Sequence, residues 1–249
     1  MKQLFRLARQ FFLRRLIQQT TVDLHFDDDV MIIAPHPDDE VLGCGGLIAQ
    51  ASRKGVNVEV IILTGGGASH DNCCGISQEE VKRERRNLTK EALKTLGLNS
   101  NKITFLDWED GKLPLSDHPD FDTRVDELAA LLARLKPANI FCPHPFEGWS
   151  DHVAAQEITR EAIKRSNVKT TFYYYCVWFW LSMPLRKSLM CDWKNAVALD
   201  ISDVYVQKQK AIKEYMGPCA PCGNPWSGVL PEELMKAFEW EKELFFRVI

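Results

Sequence analysis

Short apolar runs alternate with amphipathic segments along most of the chain. Residues 30–34 and 56–63 are apolar runs rich in branched side chains, which indicates buried strands. Further strands are predicted over 103–106 and 139–142. Helical spacing of apolar residues predicts helices over 42–53, 77–96, 122–135 and 151–165. Strands that alternate with helices imply an α/β fold with a parallel sheet covered on both faces.

The pattern after residue 165 is less regular. Residues 172–181, FYYYCVWFWL, are aromatic and fit either a strand or a buried or membrane-facing loop. Apolar spacing predicts a helix over 203–216, and Gly and Pro residues then predict a loop over 216–228. A final amphipathic helix is predicted over 231–246. Because the chain shows no internal repeat or linker, we expect one domain over 23–249.

The first 22 residues form a segment of their own. They contain five basic residues, Lys2, Arg6, Arg9, Arg14 and Arg15, with no acidic residue before Asp23. Apolar residues recur at helical spacing, so residues 1–22 are predicted to form a basic amphipathic helix. Such a helix can lie on an anionic membrane surface, although packing on the domain or on a partner subunit is the favoured alternative. The apolar runs are too short for a signal peptide or a membrane span.

Composition narrows the class of protein. A length of 249 residues allows one sizeable domain, and a net charge of −3 argues against a nucleic-acid binder. The eight cysteines show no disulfide framework, which favours a reducing, cytoplasmic setting. Cys219 and Cys222 have the spacing of a zinc or redox pair, but the chain has no second CxxC. Cys73 and Cys74 could supply further ligands only if their loop folded back, so neither a zinc site nor a redox function is favoured.

A dense polar motif, APHPDDE at 34–40, directly follows the first predicted strand. Ligands bind at the carboxyl ends of strands in open parallel sheets, so chemistry is expected here. One imidazole and three carboxylates in five residues cost free energy unless a cation neutralises them. A divalent metal is the simplest such cation, with His36 and Asp39 as ligands. Asp38 can then accept a proton from water. A helix N-cap cluster is the disfavoured alternative.

The motif and its surroundings resemble the LmbE-like or PIG-L deacetylase family. The likeness continues through IIAPHPDDEVLGCGGLIAQASRKGVNVEVIILTGG, RRNLTKEALKTLGL, FLDWEDGKL and DISDVYVQKQKAIKEYM, over about residues 28–216. It implies a Rossmann-like three-layer sandwich with a mostly parallel sheet. It also implies zinc held by His36, Asp39 and His152, with Asp38 as general base. Such ligands admit other divalent metals as well.

The chain departs from this family in its second motif. The usual His-Pro-Asp-His is replaced by WSDH at 149–152, so Trp149 stands where the family has a histidine. The resemblance implies that this histidine polarises the substrate carbonyl or protonates the leaving amine. Trp149 can donate one N–H but cannot transfer a proton. We therefore expect His144 to replace the missing histidine, and Asp151 to orient a ligand or the base.

The resemblance also implies residues that meet the substrate. Asp110, in the turn after the third strand, matches a position expected to contact the sugar or the arginine of the site. That arginine aligns best with Arg85, and Arg83 and Arg86 are close rivals. An exposed helix face is the alternative for each arginine.

The favoured function is zinc-dependent hydrolysis of the N-acetyl group of an amino sugar, in a GlcNAc-type glycan, glycolipid or conjugate. One alternative is hydration of an unsaturated carboxylic acid by the same metal, which the resemblance implies for some members of the family. Another is a catalytically silent sugar-binding protein. Because a binding module needs no general base beside its metal, the presence of Asp38 disfavours that alternative.

Overall fold

A mixed sheet forms the centre of the molecule. The computed structural model describes residues 10–15, 17, 22–24, 27–71, 73, 75–182 and 191–248. In these ranges the strands are β1 (Val22–Asp23), β2 (Val30–Ala34), β3 (Val58–Thr64), β4 (Ile103–Trp108), β5 (Asn139–Pro143), β6 (Thr171–Tyr175), β7 (Ala196–Asp200) and β8 (Lys242–Val248). Their order is β1-β7-β8-β6-β5-β2-β3-β4. Neighbours are parallel except for β8, which runs antiparallel to β6 and β7.

Helices connect the strands and cover the sheet. They are α1 (Asp39–Lys54), α2 (Gln78–Thr95), α3 (Phe121–Leu135), α4 (Ser150–Ser166), α5 (Phe179–Ser182), α6 (Tyr205–Met216) and α7 (Glu232–Ala237). Short 3₁₀ helices span Gly67–His70, Ser100–Lys102 and Trp193–Asn195. The strands predicted up to residue 142 and the helices predicted up to residue 216 are therefore confirmed, with ends that differ by a few residues.

Two hydrophobic cores lie on opposite faces of the sheet. In β2, Val30, Ile32 and Ala34 belong to one core, whereas Met31 and Ile33 belong to the other. Successive side chains of a strand point to opposite faces, so a strand covered by helices on both faces is apolar throughout. This arrangement confirms the predicted Rossmann-like three-layer sandwich with a mostly parallel sheet.

A buried ion pair joins α1, α6 and β8 in the larger of these cores. Lys208 Nζ donates to Glu243 Oε1 over 2.7 Å and to the Leu42 carbonyl over 2.9 Å. Glu243 also accepts the amides of Gly46 and Leu47 at 2.6 and 2.9 Å. Both side chains are almost fully buried. A Cβ at Gly46 would lie 2.3 Å from Ile201 Cγ2, so only glycine allows the close approach of α1 here.

The predicted final helix over 231–246 is wrong. Helix α7 ends at Ala237, and residues 242–248 form β8 between β6 and β7. The consecutive residues Leu244, Phe245 and Phe246 are all buried because both faces of the sheet are covered. A continuous apolar run of this kind has no period that distinguishes a buried strand from a helix. Strand β7 was likewise not predicted.

The aromatic segment at 172–181 is a strand followed by the start of α5. Phe172, Tyr173 and Tyr175 are buried in β6, between β5 and β8. The membrane-facing loop considered for this segment is therefore wrong. Among the helices of the described ranges, none is both long and apolar enough to cross a bilayer.

The N-terminal segment is only partly described, at residues 10–15 and 17, which are helical. Leu13 and Ile17 are buried against the domain. Gln10 and Arg14 donate hydrogen bonds to main-chain carbonyls of α7 at 2.6–3.0 Å. These contacts support packing on the domain, and the predicted boundary between 1–22 and 23–249 stays a prediction. The helix predicted over residues 1–22 also includes residues 1–9, 16 and 18–21, which lie outside the described ranges.

Candidate metal centre and active site

The candidate site lies where the strand order reverses. Strands β2, β3 and β4 follow one another towards one edge of the sheet, whereas β5 and β6 extend from β2 in the other direction. The loops after β2 and β5 therefore diverge and leave a crevice at their carboxyl ends, which is the usual ligand position in such sheets. A cavity of about 420 Å³ occupies this position.

Most of the predicted site residues line this cavity. They are His36, Asp38, Asp39, Arg85, Asp110, Trp149, Asp151 and His152. The rest of the cavity wall is formed by the 3₁₀ segment after β3, by Trp178 and by residues 227–230. His144 is the one predicted site residue that does not reach it.

Three potential metal ligands converge in the cavity. His36 follows β2, Asp39 opens α1, and His152 lies in the first turn of α4. One ligand atom from each lies within 4.8 Å of the other two. Asp39 Oδ2 is 3.2 Å from His36 Nδ1 and 3.3 Å from His152 Nε2. Two imidazole nitrogens and one carboxylate suit a catalytic divalent metal, because they leave a coordination position open.

A buried carboxylate faces the second ring nitrogen of His152, and it was not predicted. Glu147 Oε2 lies 3.5 Å from His152 Nδ1, the ring nitrogen on the far side from Asp39. Glu147 accepts the amides of Val177, at 2.9 Å, and Trp178. A histidine that binds metal commonly directs its second nitrogen to a carboxylate, which fixes the ring. In the sequence, this residue could have been found as an acidic residue shortly after β5, in FCPHPFEG.

We expect Glu147→Gln to weaken metal binding by about 10- to 100-fold, because the amide orients the His152 ring less firmly. Metal titration followed by calorimetry measures this change. Glu161→Gln, on the surface of α4, serves as the control and leaves the affinity unchanged. Equal affinities for Glu147→Gln and wild type would show that Glu147 does not support His152.

The second nitrogen of His36 also faces carboxylates. Its Nε2 lies 3.1 Å from both Asp110 Oδ1 and Asp151 Oδ2. Asp151 further accepts the amides of Gly111 and Leu113 at 2.7 and 3.2 Å. Asp110 thus contacts His36, not an arginine, and Asp151 lies where an orienting acceptor was predicted. Although burial acts in the opposite direction, the hydrogen bond from His36 lowers the pKa of Asp110.

Asp38 adopts a conformation that is rare for residues with a side chain. Its φ of 116° directs the carboxylate into the cavity beside Asp39, and Glu40 Oε2 accepts its amide at 3.0 Å. Asp38 Oδ2 accepts a hydrogen bond from Arg85 Nη2 at 3.1 Å. Burial raises the pKa of the Asp38 carboxyl to about 7, although Arg85 acts in the opposite direction. Strained backbone of this kind clusters at functional sites.

Arg85 is the arginine that the fold brings to the site. It is buried, and it donates to the carbonyls of Gly66 and Pro37 as well as to Asp38. Its rivals lie elsewhere on α2: Arg83 pairs with glutamates of its own helix, and Arg86 pairs with Asp107. Arg85 therefore contacts the predicted base, Asp38, and lines the cavity itself.

Glu40, the last residue of the motif, stabilises the loop that carries Asp38. It is buried, accepts the hydroxyl of Tyr215 at 2.5 Å through Oε1, and accepts the Asp38 amide through Oε2. Burial raises its pKa to about 8. No role had been predicted for this carboxyl, which holds the strained Asp38 and does not line the cavity.

The expectation that His144 replaces the missing histidine is wrong. Its ring lies among Phe146, Tyr174, Phe179 and Phe246, with ring centroids 4.8–5.6 Å apart. Burial in this aromatic surrounding lowers its pKa to about 3, so the imidazole is neutral. Its position after β5 was correct, but the side chain points into the packed layer and not into the cavity.

Trp149 forms part of the cavity mouth. It precedes α4, is 51% exposed, and packs against Trp178 with ring centroids 5.2 Å apart. The two indoles give one side of the cavity an aromatic wall. No described imidazole other than His36 and His152 lines the cavity.

Known proteins share both the sequence pattern and the fold. The family model of PIG-L, GlcNAc-PI de-N-acetylase, matches residues 31–163. Diacetylchitobiose deacetylase of Thermococcus kodakarensis is 30% identical over 54% of this chain and 48% of its own length. A 1D-myo-inositol 2-acetamido-2-deoxy-alpha-D-glucopyranoside deacetylase of Corynebacterium kroppenstedtii is 30% identical over 53% of this chain and 40% of its own. The chain thus matches about half the length, or less, of these curated relatives.

Solved structures show the same fold. N,N'-diacetylchitobiose deacetylase from Pyrococcus horikoshii superposes with a TM-score of 0.61 at 24% identity, over 85% of this chain and 74% of that one. GalB, the 4-carboxy-2-hydroxymuconate hydratase of Pseudomonas putida KT2440, superposes with a TM-score of 0.66 at 18% identity, over 90% and 97%. Since the family model covers more than half of the sequence, the chain belongs to the PIG-L, or LmbE-like, family.

Proposed function

We propose that this protein is a zinc-dependent N-deacetylase that hydrolyses the N-acetyl group of an amino sugar. The observation that carries the proposal is the convergence of His36, Asp39 and His152 in one cavity, with the carboxylate of Asp38 beside them. The curated relatives that the chain resembles are deacetylases of acetamido sugars, which supports the same reaction here.

The residues present fit a bound divalent cation. Four carboxylates, those of Asp38, Asp39, Asp110 and Asp151, surround His36 and His152 with one arginine among them. Without a cation, so many buried acids would repel one another. Zinc held by His36, Asp39 and His152 would supply Lewis acidity towards water and the amide carbonyl.

Asp38 carries the proton transfers. Its carboxylate is placed to remove a proton from the attacking water, whose oxygen forms a bond to the amide carbon. When the C–N bond breaks, the same carboxyl returns that proton to the nitrogen, and acetate and the free amine result. Asp110 and Asp151 are both held by His36 and by main-chain amides, so they are less suited to this role. Arg85 fixes the position of Asp38.

Trp149 and Trp178 are proposed to bind the sugar ring rather than to take part in the chemistry. We expect Trp149→Ala to raise KM by about 3- to 10-fold with little change in kcat, because one aromatic contact contributes about 0.5–1.5 kcal/mol. Steady-state kinetics on an N-acetylglucosamine disaccharide measures both constants. A fall in kcat at constant KM would instead assign Trp149 to the reaction.

The decisive assay measures acetate released from N-acetylglucosamine conjugates. We expect release by the zinc-loaded protein, loss with a chelator, and recovery on adding zinc. Iron, manganese and cobalt, added in turn to the chelated protein, identify the metal that supports the highest rate.

No release from any amino sugar would overturn the deacetylase function. Hydration of an unsaturated carboxylic acid is then the next candidate, since a hydratase shares this fold at 18% identity. Sugar binding without turnover of either substrate class would point to a silent binding protein.

A glycolipid is the proposed form of the substrate, with the N-terminal segment as a membrane contact. Phe11 and Phe12, on the described part of this segment, are 70% and 61% exposed. In a flotation assay with anionic vesicles, we expect the wild type to float with the vesicles. The double variant Phe11→Ser with Phe12→Ser is expected to stay unbound in the bottom fraction. Equal flotation of both proteins would contradict this contact. The cytoplasmic setting likewise stays a prediction.

A further inference from the structure

A second group of metal-ligand side chains lies outside the candidate active site. His70, Cys73 and Cys222, named here the His-Cys cluster, each place one ligand atom within 4.8 Å of the other two. His70 Nδ1 and Cys222 Sγ are 3.7 Å apart. The cluster joins two loops about 150 residues apart in sequence. None of its members lines the cavity.

The ring of His70 is oriented as a ligand would be. The side chain is buried, and its Nε2 lies 3.0 Å from the carbonyl of Pro225. A carbonyl can only accept, so Nε2 is the donor to it, and the neutral tautomer with this proton presents the Nδ1 lone pair towards Cys222. Histidine ligands in metal sites are commonly fixed by a hydrogen bond of this kind from the second nitrogen.

The loop that carries Cys222 has the compact turn of a C-x₂-C ligand pair. The Ala220 amide donates to the Asn224 carbonyl, and the Gly223 amide donates to the Ala220 carbonyl, both over 2.8 Å. Gly223, directly after Cys222, has a φ of 85°, which glycine adopts without strain. Cys219 thereby lies in the same turn as Cys222, and it is the candidate for a fourth ligand.

The two loops are also held together around the cluster. Ser69 Oγ donates to the Trp226 carbonyl over 3.1 Å, and the ring of His70 packs edge-on against Trp226. On the other side of these contacts, Ser69 and Gly228 line the cavity. The cluster therefore sits behind two adjoining parts of the cavity wall.

From this geometry we propose that the His-Cys cluster binds a structural zinc ion, with Cys219 as fourth ligand, that clamps the loop after β3 to the loop after α6. With Cys219 included, three cysteine sulfurs and one imidazole nitrogen make the Cys3His donor set of structural zinc sites. Sulfur ligands also distinguish this site from the candidate active site, which offers only nitrogen and oxygen. Cys73 and Cys222 are exposed, so an ion can enter from solvent.

Cobalt substitution tests this proposal without reference to catalysis. The full-length protein is reduced, freed of metal with a chelator, and titrated with Co²⁺ under anaerobic conditions. We expect an intense thiolate-to-cobalt charge-transfer band, which ligands at His36, Asp39 and His152 cannot produce. Metal analysis is expected to find one ion fewer per chain in Cys222→Ser than in wild type, together with loss of the band.

Two further variants distinguish the His-Cys cluster from the candidate active site. Asp39→Asn, in the other site, is expected to keep the charge-transfer band, and His70→Gln is expected to weaken it strongly. Circular dichroism of each variant establishes that it is folded. Absence of the band in reduced wild type overturns the proposal, as does its full retention in folded Cys222→Ser. A disulfide at Cys222 that persists under reducing conditions would overturn it too.

Discussion

Asp38→Asn is expected to lower kcat for acetate release by about 10²- to 10⁴-fold, the range for loss of a general base. The amide cannot accept a proton from water, but its oxygen can still accept the hydrogen bond that Arg85 donates. Asparagine also tolerates positive φ better than most residues, so the loop should keep its conformation. Metal analysis alongside the kinetics should find wild-type metal content.

A matched control exists elsewhere in the chain. Asp107 also has a positive φ, 54°, and also pairs with an arginine, Arg86, but it lies outside the cavity. Asp107→Asn should leave kcat within about twofold of wild type. If Asp38→Asn kept most of its activity, the proton transfers would have to be assigned to Asp110 or Asp151.

Lys208→Met is expected to destabilise the fold by about 3–5 kcal/mol, because it leaves the charge of Glu243 buried without its partner. The methionine fills much of the same volume, so the loss reports on charge and not on a cavity. Native domains are stable by only about 5–15 kcal/mol, so this is a large fraction of the total. Urea unfolding followed by fluorescence measures the change.

Two further variants make the interpretation specific. Lys210→Met, at an exposed position of the same helix, should change stability by no more than about 0.5 kcal/mol. Adding Glu243→Gln to Lys208→Met removes the unpaired charge while keeping an acceptor for the amides of Gly46 and Leu47, so part of the loss should be recovered. No recovery would mean that packing, rather than charge, explains the effect of Lys208→Met.

The sequence was sufficient to predict the central sheet and the candidate metal ligands. The run 30–34 and the motif after it identified a buried strand and a polar loop, and the resemblance to the family indicated that His152 belongs beside them. Side-chain direction was not accessible in this way. His144 follows the correct strand, yet its ring points into an aromatic layer whose members come from distant segments.

The sequence also did not reveal the residues that orient other site residues without lining the cavity themselves. Glu147 and Glu40 matter because of what they contact, His152 and Asp38, and such contacts depend on the folded loops. The final strand was missed for a different reason. Residues 244–246 are apolar on both faces, so their pattern contains no alternation, and only their partners β6 and β7 distinguish a strand from a helix.

The position of β8 has a consequence for the order of assembly during synthesis. Within the described sheet, β1 and β7 connect to the other strands only through β8, although β8 is the last strand in the sequence. A nascent chain that has emerged only as far as α7 can form the sheet from β6 to β4, but it leaves an unpaired edge at β6 and a separate β1-β7 pair. Exposed edges of this kind invite intermolecular pairing. Closure of the sheet therefore has to follow the emergence of every other strand, and the interval before it is when the chain most needs protection from aggregation.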